Sequence, residues 1–437
     1  MTPTNITYTL RHDLCTGCGV CEGACPAEAI STSIREGRFL PMVDEAKCLG
    51  SKCGRCLKAC PGVGVDLKRI AEETYRDEGV QEDRLVGRYL QCFSGYSNDH
   101  DVRFHCASGG MVSQFLIFLL EKGIIDGAVV TGFAEDHLTP QAFIARTREE
   151  VLSAKSSKYC PVSLHHAAQD IKAAEGSRFV VVGLPCHIQG FRKLEAIDKR
   201  LAKKVVGHFG IYCSSGRTFY LTEHVLKERH IDPRRLTYFA YRDEGCLGYL
   251  VARQRDERAI KITNRNFESP SCLDAVYKTG YQNYYHPLRS FFIPRRCLLC
   301  TDHYAELADV SFGDIHVEPF IADKVGVNSL VARSEKWRKL LEEARKAGAV
   351  TLEEISVEVV NSSQAMAYKK KGRNARFVAL NKRLGHVVPA YDKDIPSKAG
   401  LRDVLNYAQN RFQQFIGRHK SLWWVIALLK KDTSKLR

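Results

Sequence analysis

No stretch of this chain carries the roughly 18–20 consecutive apolar residues that a membrane-spanning helix needs, so a transmembrane protein is not expected. The opening residues, MTPTNITYTLRHD, contain no apolar core of a signal peptide, so export is not expected either. That argues against a secreted, disulfide-stapled scaffold. No Gly-x-Gly-x-x-Gly follows a strand-like run, which leaves a Rossmann dinucleotide site without support. The expected setting is the cytoplasm. A peripheral position at the inner face of the membrane stays open because of the C-terminal tail described below.

What the chain has in abundance is cysteine, seventeen in 437 residues. Eight fall between Cys15 and Cys60 in two related runs. The first is Cys15-Thr-Gly-Cys18-Gly-Val-Cys21-Glu-Gly-Ala-Cys25-Pro26. The second is Cys48-Leu-Gly-Ser-Lys-Cys53-Gly-Arg-Cys56-Leu-Lys-Ala-Cys60-Pro61. The first is the C-x2-C-x2-C-x3-C-P run of two-cluster ferredoxins; the second lengthens one loop by two residues. Three thiolates from a tight loop cap three corners of a 4Fe-4S cubane. Gly17, Gly19 and Gly54 let backbone N–H groups approach the cluster sulfur. The fourth cysteine, before proline, reaches the other cluster. This assigns Cys15, Cys18, Cys21 and Cys60 to one cluster, and Cys25, Cys48, Cys53 and Cys56 to a second. A zinc ribbon also uses CxxC knuckles. Four cysteines per motif, the doubling and both Cys-Pro endings argue against it.

Lysine and arginine outnumber acids 65 to 50, a formal +15. Two or three clusters at roughly −2 each would leave roughly +9 to +11. A basic surface suits an acidic redox protein such as ferredoxin, an anionic cofactor or an anionic membrane face; solubility alone is the plain alternative. Nucleic acid is not among the expected partners.

Beyond the cysteine-rich module (1–67), a polar segment at 68–88 reads as a linker or a solvated helix. From about 89 to 350, apolar strands alternate with amphipathic helices, the pattern of an α/β core. Helices are expected at Met111–Lys122 and Phe219–Arg229. Strands are expected at Ile125–Thr131, Phe179–Gly183 and Val205–Tyr212. The remainder, 351–437, is a basic helical tail with the run Lys369–Lys371 and amphipathic helices over 399–417 and 420–431. The predicted fold class is thus an α+β ferredoxin-like two-cluster module, an α/β core and a helical C-terminal tail.

Of the nine remaining cysteines, Cys297 and Cys300 form a CxxC, while Cys186 and Cys213 each follow a predicted strand. Strand ends of an α/β sheet gather on one edge. These four thiols suit a third cubane, a redox-active CxxC or buried free thiols. Cys92, Cys106, Cys160, Cys246 and Cys272 have no partner at ligand spacing and read as core or incidental.

From about 89 to 345 the chain resembles a known family on an ordered series of motifs. They are Ala107-Ser-Gly-Gly-Met-Val112, Leu119-Leu-Glu-Lys-Gly-Ile-Ile-Asp126, Ser157-Lys-Tyr159, Gly183-Leu-Pro-Cys186, Gly210-Ile-Tyr-Cys213, Tyr241-Arg-Asp-Glu-Gly245, Arg296-Cys-Leu-Leu-Cys300 leading to Asp309-Val-Ser-Phe-Gly-Asp314, and Gly326-Val-Asn-Ser-Leu-Val. The family is the beta subunit of coenzyme F420 hydrogenase/dehydrogenase, the deazaflavin-linked iron–sulfur flavoproteins, whose core 7-hydroxymethyl chlorophyll a reductase shares. The resemblance divides the core into family parts at 89–175 and 176–350. It implies FAD in the core and a third 4Fe-4S cluster on Cys186, Cys213, Cys297 and Cys300. His187 stands where glutamine is frequent and Cys246 where tryptophan is frequent, which puts the substrate in doubt more than the fold.

Ser108-Gly109-Gly110 precedes the helix at 111–122. Small residues at a helix N-terminus either attract phosphate or simply cap the helix. The resemblance favours the phosphate reading. Lys155, Ser157 and Lys158 are further candidate cofactor contacts; the plain alternative for Lys155 and Lys158 is that they are surface lysines. Catalytic residues are not identifiable; His187 and His316 are the nearest proton carriers, and an isolated histidine near a strand end is usually structural. FAD converts between single electrons from clusters and the electron pairs a deazaflavin or other small acceptor takes. The expected function is therefore an iron–sulfur flavoprotein oxidoreductase between a one-electron carrier and a two-electron substrate. A non-catalytic electron-transfer subunit of a larger complex is the alternative. Residues 413–431, with Trp423 and Trp424 between lysines, read as a membrane-interface helix or as a helix docked on the core or on a partner subunit.

Overall fold

The structure is a computed structural model and describes residues 4–255, 274–288, 290–393, 395–396 and 398–429. Cys272 and the end of the tail lie outside the described residues.

In the cysteine-rich module, each tight cysteine loop turns into a short helix, Val20–Gly23 or Arg55–Ala59. Each helix opens on a left-handed glycine, Gly19 at φ +81° and Gly54 at φ +63°. An L side chain is disfavoured there, so glycine allows the loop to curl back toward its own sulfurs. An antiparallel hairpin, Ile30–Arg35 with Arg38–Val43, closes the module over Ile6 and Ile30.

The segment 68–88 is neither a free linker nor a solvated helix. Leu67–Thr74 is helical, with Leu67, Ala71 and the following Tyr75 buried against Ile188, Leu307 and Ala308. A small hairpin, Gln81–Asp83 with Gly87–Tyr89, follows, and its turn buries Leu85 and Val86.

The central sheet has eight strands in the order 350–355, 91–97, 328–332, 310–314, 205–211, 179–183, 127–133, 140–145. The fourth to seventh in that order, Val310–Asp314, Val205–Ile211, Phe179–Gly183 and Gly127–Phe133, are parallel; the joints toward both edges are antiparallel. Parallel strands covered on both faces need continuous apolar runs, as in FVVVG at 179–183. One face is covered by the helix Met111–Glu121 and by Trp337 from Glu335–Lys346. The other is covered by Ala167–Ala173 and Pro185–Glu195, and Cys18, Val20, Ala24 and Ala59 of the module join that same apolar cluster. The module is thereby packed into the core rather than tethered to it.

The expected elements of the core appear with shifted ends, but the helical tail expected from 351 starts later, because Val350–Ile355 pairs with 91–97 as an edge strand of the central sheet. The strand expected at 125 begins at Gly127, because Ile124 and Ile125 close the preceding helix by donating to Leu119 O. A three-stranded antiparallel sheet, Leu236–Asp243, Tyr249–Arg255 and Asp274–Gly280, builds a second core with Phe219–Glu228, Phe291 and Phe292. The tail helices Leu401–Arg418 and Trp423–Leu429 dock there through Ile416, Trp423 and Ile426. Among the described residues, no helix is long and apolar enough to cross a membrane.

Candidate functional site

The structure gathers the twelve singled-out cysteines into three sets of four. Cys15, Cys18, Cys21 and Cys60 line one small cavity with Gly17 and Gly19. Cys25, Cys48, Cys53 and Cys56 line another with Gly50 and Gly54. The fourth cysteine of each motif crosses to the other set, as the Cys-Pro endings anticipated. N–H groups point at the sulfurs. Gly17 N donates to Cys15 Sγ at 3.4 Å, Gly62 N to Cys60 Sγ at 3.2 Å and Ala29 N to Cys25 Sγ at 3.3 Å.

The third set comes from three parts of the chain. Cys186 opens the helix after the 179–183 strand, Cys213 follows the 205–211 strand, and Cys297 and Cys300 belong to the short helix Arg295–Leu298 and its end. The two strands are parallel neighbours, so their C-terminal ends lie side by side. Here Gly216 N donates to Cys297 Sγ at 3.3 Å. Among the described residues, no three His, Cys, Asp or Glu side chains converge on a single-ion site. The thiols of the first two sets line cavities instead, which suits a cluster of several atoms.

The three sets form a series. Cys21 of the first feels the charge of Cys56 of the second, and Cys186 of the third feels that of Cys18 of the first. Cys25, Cys48 and Cys53 of the second set and all four cysteines of the third are half-buried, while Cys15, Cys18, Cys21 and Cys60 of the first are buried. Burial, with repulsion from neighbouring thiols, pushes Cys15 up to about 12 and Cys18 up to about 11. Burial likewise pushes Cys213 up to about 12, although the nearby Lys370 opposes the rise. Four thiolates are stable in such places only around a cationic partner.

Beyond the third set opens a cavity of about 350 Å³, within the size range of cofactor pockets. Cys213 lines it, so the third set adjoins the cavity directly. Ser108, Gly110, Lys155, Ser157 and Lys158 line it as well. Gly109 does not; it packs where a Cβ would lie 2.8 Å from Gly95 O. The Ser108 hydroxyl donates to Val327 O at 3.0 Å, and Met111 N donates to Asn328 Oδ1 at 3.2 Å. The first-turn N–H groups of Val112 and Ser113, which have no partner within the helix, remain along the wall.

The two lysines differ. Lys158 donates to the carbonyls of Ala154, Lys155 and Ser156 at 2.6, 2.7 and 3.1 Å, so its three donors are engaged. Burial lowers it to about 8. The Lys155 side chain makes no hydrogen bond or ion pair among the described residues. Lys155 is thus the free cation at the wall, and Lys158 holds the end of the 148–153 helix.

Sequence reasoning missed Arg217. It is buried at the cavity wall, packs over Tyr285 and leaves its Nε without a partner. Its only local signal was its place just after Cys213 in a strand-end loop. Cys106 and Cys160, read as incidental, also line the cavity. His187 is structural: Nδ1 accepts from Leu184 N at 3.1 Å and Nε2 donates to Val162 O at 3.1 Å. Burial lowers it to about 4. His316 also lines the cavity, 3.5 Å from Asp314 Oδ2. The unpartnered Arg217 Nε, the free Lys155 and the helix N-terminus fit an anionic cofactor such as FAD.

Residues 92–169 and 176–358 match the N-terminal and C-terminal family models of the coenzyme F420 hydrogenase/dehydrogenase beta subunit, and residues 14–65 match a 4Fe-4S dicluster domain. The coenzyme F420-dependent sulfite reductase of Methanocaldococcus jannaschii is 24% identical over 83% of this chain, which spans 51% of that protein. The coenzyme F420 hydrogenase subunit beta of Methanothermobacter thermautotrophicus is 23% identical over 70% of this chain and 99% of its own length. Its counterpart in Methanosarcina barkeri is 24% identical over 66% of this chain and 95% of its own length. A chain of the F420-reducing [NiFe] hydrogenase complex from Methanosarcina barkeri shares the fold with a TM-score of 0.53 at 20% identity, covering 70% of this chain and 96% of that one. The chain belongs to the family of coenzyme F420 hydrogenase/dehydrogenase beta subunits and carries a 4Fe-4S dicluster domain in front of the family core.

Proposed function

We propose that the chain is an iron–sulfur flavoprotein oxidoreductase. It passes single electrons from an acidic carrier through three 4Fe-4S clusters to FAD, which exchanges electron pairs with a deazaflavin or another small acceptor. One observation carries the reading: three cysteine quartets stand in series and the last adjoins the cavity through Cys213. When bound, the clusters supply one-electron transfer and FAD the step to two electrons.

The residues of this chain do the positioning. Cys25, Cys48, Cys53 and Cys56 hold the cluster at the end of the series away from the cavity. Around it, Lys47, Lys52 and Lys58 are exposed, and the faces of Gly50 and Gly54 are open. That surface suits an acidic ferredoxin, which basic side chains steer electrostatically. Cys15, Cys18, Cys21 and Cys60 hold the middle cluster, and Cys186, Cys213, Cys297 and Cys300 the inner one. Lys155, Arg217 and the N–H groups of Val112 and Ser113 attract the negative charge of FAD. Among the described residues, both nitrogens of His187 are bonded to backbone and His303 lies between Cys213 O and Gln364 Oε1, which leaves His316 as the cavity imidazole open to a substrate.

Anaerobically purified protein should contain about twelve irons, as three four-iron cubanes require, with one FAD. Cys297→Ala with Cys300→Ala should reduce the iron by a third. Unchanged iron in that variant would remove the third cluster from the scheme.

A second reading, an electron-transfer subunit of a larger complex, is favoured by one surface. The docked tail leaves Leu401, Leu405, Phe412, Phe415, Trp424 and Leu428 exposed. Exposed apolar side chains on these two tail helices suit an interaction site, and we assign them to a partner oxidoreductase subunit. Turnover of a two-electron acceptor by the chain alone supports the first reading; turnover only with a partner supports the second.

A further inference from the structure

The segment just past the family-matched region reaches back over the third cysteine quartet. The match ends at residue 358. Helix Ala365–Lys369 runs into a π-helical turn, Lys370–Asn374, and on into helix Ala375–Arg383. A π turn costs helical regularity and is found mostly where side chains are re-aimed for function. Here it aims two. Lys370 Nζ donates to Cys300 Sγ at 3.5 Å and to Asp302 O at 2.6 Å. Asn374 Nδ2 bridges the carbonyls of Cys297 and Cys300 at 3.2 and 3.1 Å. Just upstream, Gln364 Oε1 lies 3.0 Å from His303 Nε2, and His303 Nδ1 lies 3.1 Å from Cys213 O.

Charge distinguishes the two neighbouring lysines. Lys371 pairs with Glu306 at 2.5 Å, and Lys393 pairs with the same carboxylate at 2.7 Å. Lys370 is only 1% exposed and has no carboxylate within ion-pair distance among the described residues. An ammonium buried without a counter-charge is strongly disfavoured. The Asp302 carboxylate is turned away to Gln189 Nε2 at 2.8 Å. The anionic groups acting on Lys370 are led by Cys300 and Cys213 of the quartet, with the Asp302 carboxylate next and Cys297 after it.

We propose that residues 364–374 form a built-in electrostatic cap on the third quartet, and that the Lys370 ammonium raises the reduction potential of the iron–sulfur group held there. The inference rests on the reading that Cys186, Cys213, Cys297 and Cys300 bind a 4Fe-4S cluster. The cluster gains one electron from the group at Cys15, Cys18, Cys21 and Cys60, which loses it, and no bond is made or broken. The fixed positive charge beside Cys300 favours the more negative reduced form, as charge and hydrogen bonds at cluster sulfur do in general. The inner cluster then collects electrons from the module and holds them beside the cavity.

The test is an EPR-monitored redox titration of the full, cluster-loaded chain and its Lys370→Met and Lys370→Arg variants. In Lys370→Met the reduced-to-oxidised ratio of one cluster at fixed ambient potential should fall at least tenfold, about 59 mV for one electron. The other two clusters should not move, and Lys370→Arg should stay near the parent. Should Lys370→Met fail to load iron, Lys370→Gln keeps a donor for Asp302 O without the charge and should show the same fall. About twelve irons with an unmoved potential in the neutral variant overturns the cap. About eight irons in the unmodified chain, or no iron lost from Cys297→Ala/Cys300→Ala, overturns the third cluster itself.

Discussion

Gly19 and Gly54 occupy the same place in their motifs, directly after the second cysteine, and both are left-handed. Their surroundings differ. A Cβ on Gly19 would lie 2.5 Å from His165 N and 2.6 Å from His165 Cα, whereas a Cβ on Gly54 meets nothing within 4 Å. Gly54→Ala therefore incurs only the left-handed conformation, about 1–2 kcal/mol. Gly19→Ala incurs that and must also open the seam between module and core by about 1 Å to restore an ordinary contact near 3.5 Å. Opening the seam strains the bond from Leu164 N to Cys18 O, now 2.9 Å. That bond is worth about 1 kcal/mol, and overpacking at such a seam adds about 1–3 kcal/mol. Gly19→Ala should thus cost about 3–6 kcal/mol, at least about 2 more than Gly54→Ala. Anaerobic urea unfolding, followed through cluster absorbance, measures the difference. A second readout is the rate at which an electron given to the module arrives at the third cluster; only Gly19→Ala should slow it, because Cys18 faces Cys186 across that seam. Equal effects of the two substitutions would refute the docking of the module on the 163–165 loop.

Lys155→Ala should weaken flavin retention with little change in stability, while Lys158→Met should destabilise the chain by uncapping the 148–153 helix; flavin content and melting temperature of both variants separate the two roles. Asp309 accepts from His208 N at 2.8 Å and from Arg192 at 3.1 Å. Burial alone would raise it, but Arg192 and His208 outweigh that and hold it at about 2 against an ordinary 3.8. Its stabilisation is complete above about pH 4 and is lost as pH falls toward 2, a change of about 2 kcal/mol. Asp309→Asn should be weaker at neutral pH and flatter across that acid range, as urea midpoints at several pH values will show. Trp423→Ala should cost about 3–5 kcal/mol by emptying the second core. Its neighbour Trp424→Ser should stay within about 0.5 kcal/mol; with Leu428→Ser it should weaken capture of a partner subunit, and loss of liposome binding instead would reassign that face to a membrane.

Local sequence already determined the chemistry of the module, because a CxxCxxCxxxCP run brings three thiolates together within one loop whatever surrounds it. It also determined the strands and helices at 111–122, 179–183, 205–212 and 219–229, where apolar periodicity is strong and uninterrupted. The third quartet was legible as candidates only. Cys186 and Cys297 are more than a hundred residues apart, and the parallel pairing of the 179–183 and 205–211 strands is what sets Cys186 and Cys213 on one edge. Tertiary structure alone decided which charges are free. Lys155 and Lys158 look alike in sequence, yet three helix-end carbonyls engage one and leave the other at the cavity wall. The run Lys369–Lys371 read only as a basic stretch of the tail; packing turned Lys371 to Glu306 and Lys370 to Cys300. A cation's role is set by the counter-charges that folding brings to it, and those come from residues some seventy positions away.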